Sequence, residues 1–193
     1  STMRLRRTLD TQSVELLDPS LKPVLDKLAH ALDIPKVKVH LYEVDPVNGL
    51  AAPDGRIFIT RGFYNKYKLD EVSAEEIASV IAHELGHIAL GHAKRRMIDF
   101  SSQNAVRAAL GMLLGRIIPG IGNWVATIVA NLLMAKLSRA DEYEADEFAS
   151  ALLIKSGIGS EPQISLFEKL EALSGQTGQM PAWMMSHPKT QDR

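Results

Sequence analysis

Residues Ser73–His92, SAEEIASVIAHELGHIALGH, contain the stretch on which the interpretation of the whole chain depends. Ser73 is followed three residues later by Glu76, the pattern of a capping box at the start of a helix. Apolar residues then recur at helical spacing, namely Ile77, Val80, Ile81, Leu85, Ile88 and Ala89. The stretch therefore predicts an amphipathic helix that begins directly after Ser73.

This helix contains the motif His-Glu-Leu-Gly-His, of the form H-E-x-x-H, at residues 83–87. His83 and His87 are four residues apart, so a helix places their imidazoles one above the other on the same face. Glu84 lies about 100° further around the helix. It is thus beside a metal ion held by the two histidines, where a base for a metal-bound water is needed. The pattern favours a hydrolytic zinc site.

A simpler alternative is a pair of histidines on the inner face of a buried helix. Gly86 bears on the choice, because glycine in a helix interior costs about 1 kcal/mol relative to alanine. A residue this small next to the two histidines leaves room for a second element to approach closely. We therefore favour the metal site.

Composition limits the class of protein and the chemistry of the site. The 193 residues suit one compact domain, 1–193, and 46% hydrophobic with 23% charged residues is typical of a soluble globular protein. The net charge of −1 offers no general attraction for nucleic acid. The chain has no cysteine, so zinc must be bound by His, Asp or Glu.

The N-terminal part predicts an arm, a helix and a strand. Residues 1–18 are polar and mixed, which indicates an arm with a short helix near Val14–Leu17. A helix is expected from Asp18-Pro19 to Leu32. Apolar and polar residues then alternate over Val37–Leu41, as in a half-buried strand.

A hairpin is expected next. Leu50–Ala52 pairs with Arg56–Thr60 through a turn at Pro53–Gly55. We interpret Arg56–Thr60 as an exposed edge that offers its backbone to an extended peptide, the alternative being an ordinary sheet strand. Arg61–Lys68 indicates a short helix or turn that leads into the histidine-bearing helix.

Residues 103–138 predict an apolar helical hairpin. Ile117–Ala135 has no charged side chain, but Pro119–Gly122 interrupts it. Two helices, Gln103–Ile118 and Asn123–Ser138, are therefore expected, each too short to span a bilayer of about 30 Å. The hairpin either packs over the metal site or, through 105–137, contacts a membrane or a partner protein.

After the hairpin, the second helix is expected to continue to Ser156, where Gly157 ends it. A further helix is predicted from Ser160 to Ser174, with an early proline at Pro162.

Two candidates for the third zinc ligand are present in the chain, His92 and a carboxylate on another helix. Leu90 and Ala93 occupy the positions where a metzincin would continue its motif, which excludes that class. His92 lies five residues after His87 and turns away from the metal face, so we expect it to cap the helix or contact the surface. A carboxylate on another helix is the alternative.

The acidic run 141–147 is the only dense carboxylate cluster on an apolar helix. Glu142 and Asp146 are four residues apart and share one face. One of them is suited to bind zinc while the other accepts the N–H of a ligating histidine. The remaining acidic residues are interpreted as a solvated face, namely Asp141, Glu144 and Glu147.

Three separated motifs in this order resemble the HtpX/BepA-type zinc metallopeptidases, gluzincins that also include the CAAX prenyl endopeptidases. They are His83–His87, then Ser138–Asp146 in the form S-R-x-x-E-Y-x-A-D, then His187-Pro188 with Arg193 five residues beyond. The resemblance extends from about Leu50 to the C-terminus.

The resemblance implies an α+β, mainly α, zincin-like fold with a small mixed sheet, the HExxH helix and a second, glutamate-bearing ligand helix. It implies Glu142 as the third zinc ligand, and Asp146 as the acceptor that orients a ligating histidine. It also implies that an edge strand holds substrate, which supports a substrate strand formed by Arg56, Ile57, Phe58, Ile59 and Thr60.

The expected activity is zinc-dependent endopeptidase, with one Zn²⁺ per chain and Glu84 as the general base. By family likeness, His187 donates a hydrogen bond to the developing oxyanion. Arg139, three residues before Glu142, is the alternative donor, or it supports Glu84 or Asp146.

The expected setting is protein quality control in the cell envelope, periplasmic or peripherally membrane-associated, with protein or peptide substrates and no nucleic acid. Ser1–Met3 begins no basic-then-apolar leader, so a signal was either never present or has been removed. An extension of the chain beyond Arg193 stays open.

A rival interpretation of the function is a metal-stabilised envelope chaperone or scaffold with low turnover, and another is a non-peptidase zinc hydrolase. The absence of cysteine excludes a peptide deformylase.

Overall fold

The computed structural model describes residues 10–52, 54–92 and 122–187, with side chains from residue 139 onward in the last range. A four-stranded sheet is formed by β1 (Ser13–Glu15), β2 (Val39–Tyr42), β3 (Gly49–Ala51) and β4 (Ile57–Thr60). The strand order is β1-β2-β4-β3, with β2 and β4 parallel and the other two pairs antiparallel. The expected small mixed sheet is confirmed.

Two sequence-based assignments in the sheet are wrong. Val14–Leu17 forms no helix; instead Ser13–Glu15 pairs with β2, because the pairing outweighs a weak local helical preference. The strand Arg56–Thr60 is not an edge. The part of it that forms a strand, β4, is buried and pairs with β2 on one side and β3 on the other. Its backbone N–H and C=O groups are therefore not available to a peptide. The predicted hairpin with β3 is confirmed, and β3 is the edge on that side.

The first helices follow the predicted order, as α1 (Lys22–Ala31), α2 (Arg61–Lys68) and α3 (Ala74–Ala89). α3 begins with the expected capping box: the Glu76 N–H donates to Ser73 Oγ, and the Ser73 N–H donates to Glu76 Oε1. α3 contacts β3, β4, α1 and two later helices, so the histidine-bearing helix lies at the centre of the fold.

The core is built around one face of the sheet and the inner face of α3. The sheet contributes alternating residues, as the period of two requires, namely Val39, Leu41, Ile57 and Ile59. α3 contributes Ile77, Val80 and Ile81, each at most 1% exposed. On the opposite face of the sheet, Phe58 packs with Ala52 in a small second cluster.

The later helices are α4 (Gly122–Lys155), α5 (Glu161–Thr177) and α6 (Ala182–Ser186). α4 ends as predicted at Gly157, where a φ of 81° allows the Ile158 and Gly157 N–H groups to donate to the carbonyls of Leu153 and Ile154. α5 continues to Thr177, beyond the predicted end at Ser174.

The predicted apolar hairpin falls mostly outside the described residues. Its second helix is present as the backbone of α4 from Gly122, whereas residues 103–121 and the turn between them are not described. Among the described helices, none combines the length and apolar content that crossing a membrane requires.

Candidate metal centre

α3 presents two imidazoles to one point. His83 and His87 are 1% and 4% exposed, and their Nε2 atoms lie 3.0 Å apart. The rings meet edge to face with centroids 4.7 Å apart, as the four-residue spacing on a helix predicts. Both Nε2 atoms therefore converge inside the protein.

Glu142 reaches the same point from α4. Its side chain is fully buried, with Oε2 3.1 Å from His83 Nε2 and Oε1 3.4 Å from His87 Nε2. The helices approach closely at Gly86, where a β-carbon would lie 3.1 Å from both the Cα and the carbonyl oxygen of Ala145. The expected role of Gly86, to leave room for a second element, is confirmed.

His187, directly after α6, completes the group. Its Nδ1 lies 2.8 Å from Glu142 Oε2 and 3.2 Å from His83 Nε2. α6 is fixed by the Trp183 N–H, which donates to the Val47 carbonyl at 3.1 Å, and by the Ser186 hydroxyl beside Asn48. The late histidine is thus held within the cluster by contacts to the loop before β3.

The four residues fit a zinc ion by chemistry and spacing. Their ligand atoms all lie within 4.8 Å of one another, and the measured separations are 2.8–3.4 Å. Nitrogen and oxygen donors bonded to tetrahedral zinc at about 2.0–2.1 Å lie about 3.3 Å apart. Histidine and carboxylate are normal zinc ligands, and all four side chains are buried. We refer to this group as the His83 cluster.

Asp146 lies behind the His83 cluster. Its Oδ1 is 2.8 Å from His83 Nδ1, so when Nε2 faces the cluster the Nδ1–H donates to the carboxylate. Such a bond fixes the tautomer and orientation of a metal-binding histidine. Glu142 thus lies at the Nε2 atoms of the two histidines, and Asp146 lies at the outer ring nitrogen of His83.

Electrostatics favour the charged forms of Glu142 and His83 and the neutral form of His87. Burial opposes ionisation of Glu142, but hydrogen bonds with the histidines, His187 first, hold its pKa well below the usual range. Burial would lower the pKa of His83, yet hydrogen bonds with Asp146 and Glu142 raise it. Burial, the largest influence on His87, lowers its pKa, so a neutral imidazole is favoured there.

Glu84 stands beside the cluster, 1% exposed, with Oε1 3.3 Å from His187 Nε2. Among the described residues, no group forms a well-oriented hydrogen bond to that oxygen. Burial raises the pKa of Glu84, but the neighbouring histidines, His187 first and then His83 and His87, together leave the pKa lowered. The carboxylate form of Glu84, which a general base requires, is therefore favoured.

A cavity of about 150 Å³ connects these groups to the sheet edge. One part of its lining comes from β3 and the loop before it, and the other part comes from the His83 cluster and its neighbours. The lining residues are Asn48, Gly49, Leu50, Ala51, Glu84, His87, Ser186 and His187. The opening therefore lies between β3, the edge strand of the described sheet, and the residues proposed to carry out the reaction.

Two sequence-based expectations near the site are wrong. His92 is fully buried, with Nδ1 2.9 Å from His87 Nδ1 and Nε2 3.0 Å from Glu144 Oε2. Asp141, expected in a solvated face, is 4% exposed and 3.9 Å from His92 Nε2. Gly91 was the signal for this arrangement: its φ of 68° ends α3 and turns the chain back, whereas a continued helix would point His92 away.

Arg139 is exposed on α4, although Glu142 one turn later is buried. Within the described part of the chain, no hydrogen bond or ion pair joins it to Glu84 or to the His83 cluster. The structure therefore offers no support for Arg139 as an oxyanion donor.

Comparison with known proteins agrees with this geometry. The sequence profile of peptidase family M48 matches residues 15–193. Metalloprotease YcaL of Escherichia coli is 30% identical over 173 residues, which cover 90% of this chain and 65% of YcaL. Metalloprotease LoiP of the same organism is 28% identical, over 90% of this chain and 66% of LoiP. A Vibrio cholerae protein, provisionally named a beta-barrel assembly-enhancing protease, is 27% identical, over 97% of this chain and 40% of its own length. The chain thus spans less than two thirds of these relatives.

Proposed function

The chain belongs to peptidase family M48, and we propose that it is a zinc-dependent endopeptidase that hydrolyses protein or peptide substrates. One observation carries the proposal: four buried ligand atoms converge at zinc spacing, with the Glu84 carboxylate beside them. The arrangement fits the zincin-like fold that the sequence motifs imply.

His83, His87 and Glu142 would hold one Zn²⁺ per chain. Zinc held there would supply Lewis-acid chemistry, making the attacking water more acidic and polarising the scissile carbonyl. Glu84 accepts the proton of the attacking water and then delivers it to the leaving amine nitrogen. Asp146 keeps His83 in the tautomer that has Nε2 free for the metal.

His187 is proposed as the donor to the developing oxyanion. Burial would lower the pKa of His187, but the charge of Glu84 and the hydrogen bond with Glu142 raise it to about 9. In the metal-free protein, the imidazolium form, with both ring nitrogens carrying hydrogen, is therefore favoured at neutral pH. An N–H donor of this kind, placed where negative charge develops, stabilises the transition state.

We assign substrate binding to β3 rather than to β4. The Thr60 N–H donates to the Asn48 carbonyl, and the Ala52 N–H donates to the Arg56 carbonyl. Because antiparallel pairs alternate, Gly49 and Ala51 direct their backbone groups away from β4, towards the cavity. A peptide added as a further strand there would pass beside Glu84.

The decisive experiment compares zinc content and casein hydrolysis in three variants. Glu84→Gln should keep one zinc and lose activity by about 10²–10⁴-fold, since only the base is removed. Glu142→Ala should lose most of the zinc, whereas Glu144→Ala should retain it. Equal zinc in the last two variants, or full activity in Glu84→Gln, would refute the assigned chemistry.

In the same assay, Ala51→Pro tests the substrate edge. Proline removes one backbone N–H from β3. We expect a higher KM with unchanged zinc content, and an unchanged KM would argue against peptide addition at this strand.

We further propose a role in cell-envelope protein quality control. The support is the motif resemblance together with the name of the Vibrio cholerae relative, which refers to beta-barrel assembly. Fractionation of the producing cells, followed by immunodetection, tests this: recovery in the cytosolic fraction would contradict it.

A further inference from the structure

His92 connects the His83 cluster to α4 on the side opposite Asp146. Its ring is 0% exposed and meets the His87 ring with centroids 5.1 Å apart. One ring nitrogen, Nδ1, lies 2.9 Å from His87 Nδ1, and the other, Nε2, lies 3.0 Å from Glu144 Oε2. Both nitrogens of His92 therefore have a polar neighbour within hydrogen-bond distance.

The direction of these hydrogen bonds follows from the orientation of His87. Its Nε2 faces the cluster, 3.0 Å from His83 Nε2, and must carry no hydrogen in order to bind a metal. The hydrogen of neutral His87 is then on Nδ1, which donates to His92 Nδ1. His92 in turn carries its hydrogen on Nε2 and donates to the Glu144 carboxylate.

We propose that His92 is a positioning residue for His87, acting through this hydrogen bond to fix the tautomer and ring orientation of a zinc ligand. The inference rests on the proposed zinc site. It assigns to His87 the kind of support that Asp146 gives His83, with an imidazole in place of a carboxylate. Glu144, with Asp141 3.9 Å away, holds the outer nitrogen of His92.

Two substitutions of His92 distinguish its proposed role as an acceptor for His87 from a role in which it only attaches the chain to α4. The Oδ1 of asparagine corresponds in position to histidine Nδ1, so His92→Asn keeps an acceptor for His87 and loses the contact with Glu144. The side-chain amide of glutamine corresponds to Nε2, so His92→Gln keeps the contact with Glu144 and leaves the His87 Nδ1–H without its acceptor.

The test is zinc affinity of the full chain, measured by competition with a chromogenic chelator. We expect His92→Gln and His92→Phe to bind zinc about 10–100-fold more weakly than the wild type, and His92→Asn to lie within about threefold of it. The exposed His30 provides a matched control, since His30→Phe makes the same substitution away from the site and should change nothing.

Each other outcome has a definite meaning. If glutamine restores affinity and asparagine does not, or if all three variants bind zinc with the same affinity, whether weakened or as in the wild type, the proposal is overturned. A second zinc equivalent in the wild type that is lost in His92→Phe would also overturn it, because His92 would then be a ligand. Failure of the wild type to bind zinc would instead refute the zinc site itself. If His92→Phe does not fold, the asparagine and glutamine variants carry the test alone.

Discussion

The imidazole of His187 lies between the two carboxylates that matter most for the proposed chemistry. Its Nδ1 faces Glu142 and its Nε2 faces Glu84. The Trp183 ring covers it, with centroids 5.1 Å apart. His187 therefore contacts both a proposed zinc ligand and the proposed base. Its replacement should change the catalytic rate more than the stability of the fold.

We expect His187→Phe to keep zinc, because His83, His87 and Glu142 remain. Loss of the oxyanion donor should lower kcat by about 10²–10³-fold with little change in KM. Steady-state kinetics on a quenched fluorescent peptide, together with zinc content, measure this. Higher activity in the variant would instead show that His187 covers the site, and a large rise in KM alone would make it a substrate-binding residue.

At the level of single residues, the sequence predicts the cluster better than its surroundings. His83, Glu84 and His87 follow from helical spacing, and Glu142 with Asp146 from a second helical pair. His92 and Asp141 could not be predicted in the same way. Their burial depends on the turn at Gly91 and on which side of α4 faces α3, and neither is fixed by local periodicity.

The distance between α3 and α4 is set where Gly86 meets Ala145. A β-carbon at position 86 would also lie 3.3 Å from Phe148 Cβ. Two of its three nearest atoms belong to backbone, which cannot rotate away as a side chain can. The close approach of the two helices brings Glu142 within reach of the α3 histidines.

Gly86→Ala should therefore weaken zinc binding, by about tenfold, because α4 must shift relative to α3 and disturb the ligand spacing. The same variant gains up to about 1 kcal/mol in helix propensity, so its zinc-free stability need not fall. Gly175→Ala in α5 is the matched control, since no atom lies within 4 Å of the added β-carbon. It should stabilise the protein slightly and leave zinc affinity unchanged; similar affinities in both variants would show that helix spacing does not govern the site.

The ends of helices are predictable where capping residues mark them. The position of a strand within the sheet is not, because it depends on pairing with distant segments. The capping box located the start of α3, and Gly157 located the end of α4. By contrast, an isolated strand pattern does not reveal its neighbours. The sequence predicts the pairing of β4 with β3 through a short turn, but it does not show that the earlier strand β2 pairs with the other side of β4.

Across the whole molecule, the His83 cluster joins parts of the chain that are distant in sequence. His83 and Glu142 are 59 residues apart, and His83 and His187 are 104 apart. A metal bound by His83, His87 and Glu142 stabilises only the assembled fold, because the unfolded chain does not hold these residues together.

Zinc removal should therefore lower the melting temperature of the entire domain. At a free zinc concentration about 1,000-fold above Kd, binding stabilises the folded state by about 4 kcal/mol. For a chain of this size, that corresponds to about 8–16 °C. Thermal unfolding with zinc and with a chelator measures the difference, and Glu142→Ala should show almost none. An equal shift in that variant would place the stabilising zinc elsewhere.

The order of the cluster along the chain also has a consequence for synthesis on the ribosome. The two histidines and Glu84 emerge first, while Glu142 and then His187 follow much later. Until α4 has been translated and has packed against α3, a nascent chain lacks a complete set of ligands beside its base. The complete His83 cluster thus forms only after His187 has been translated, so shorter nascent chains lack the proposed catalytic site.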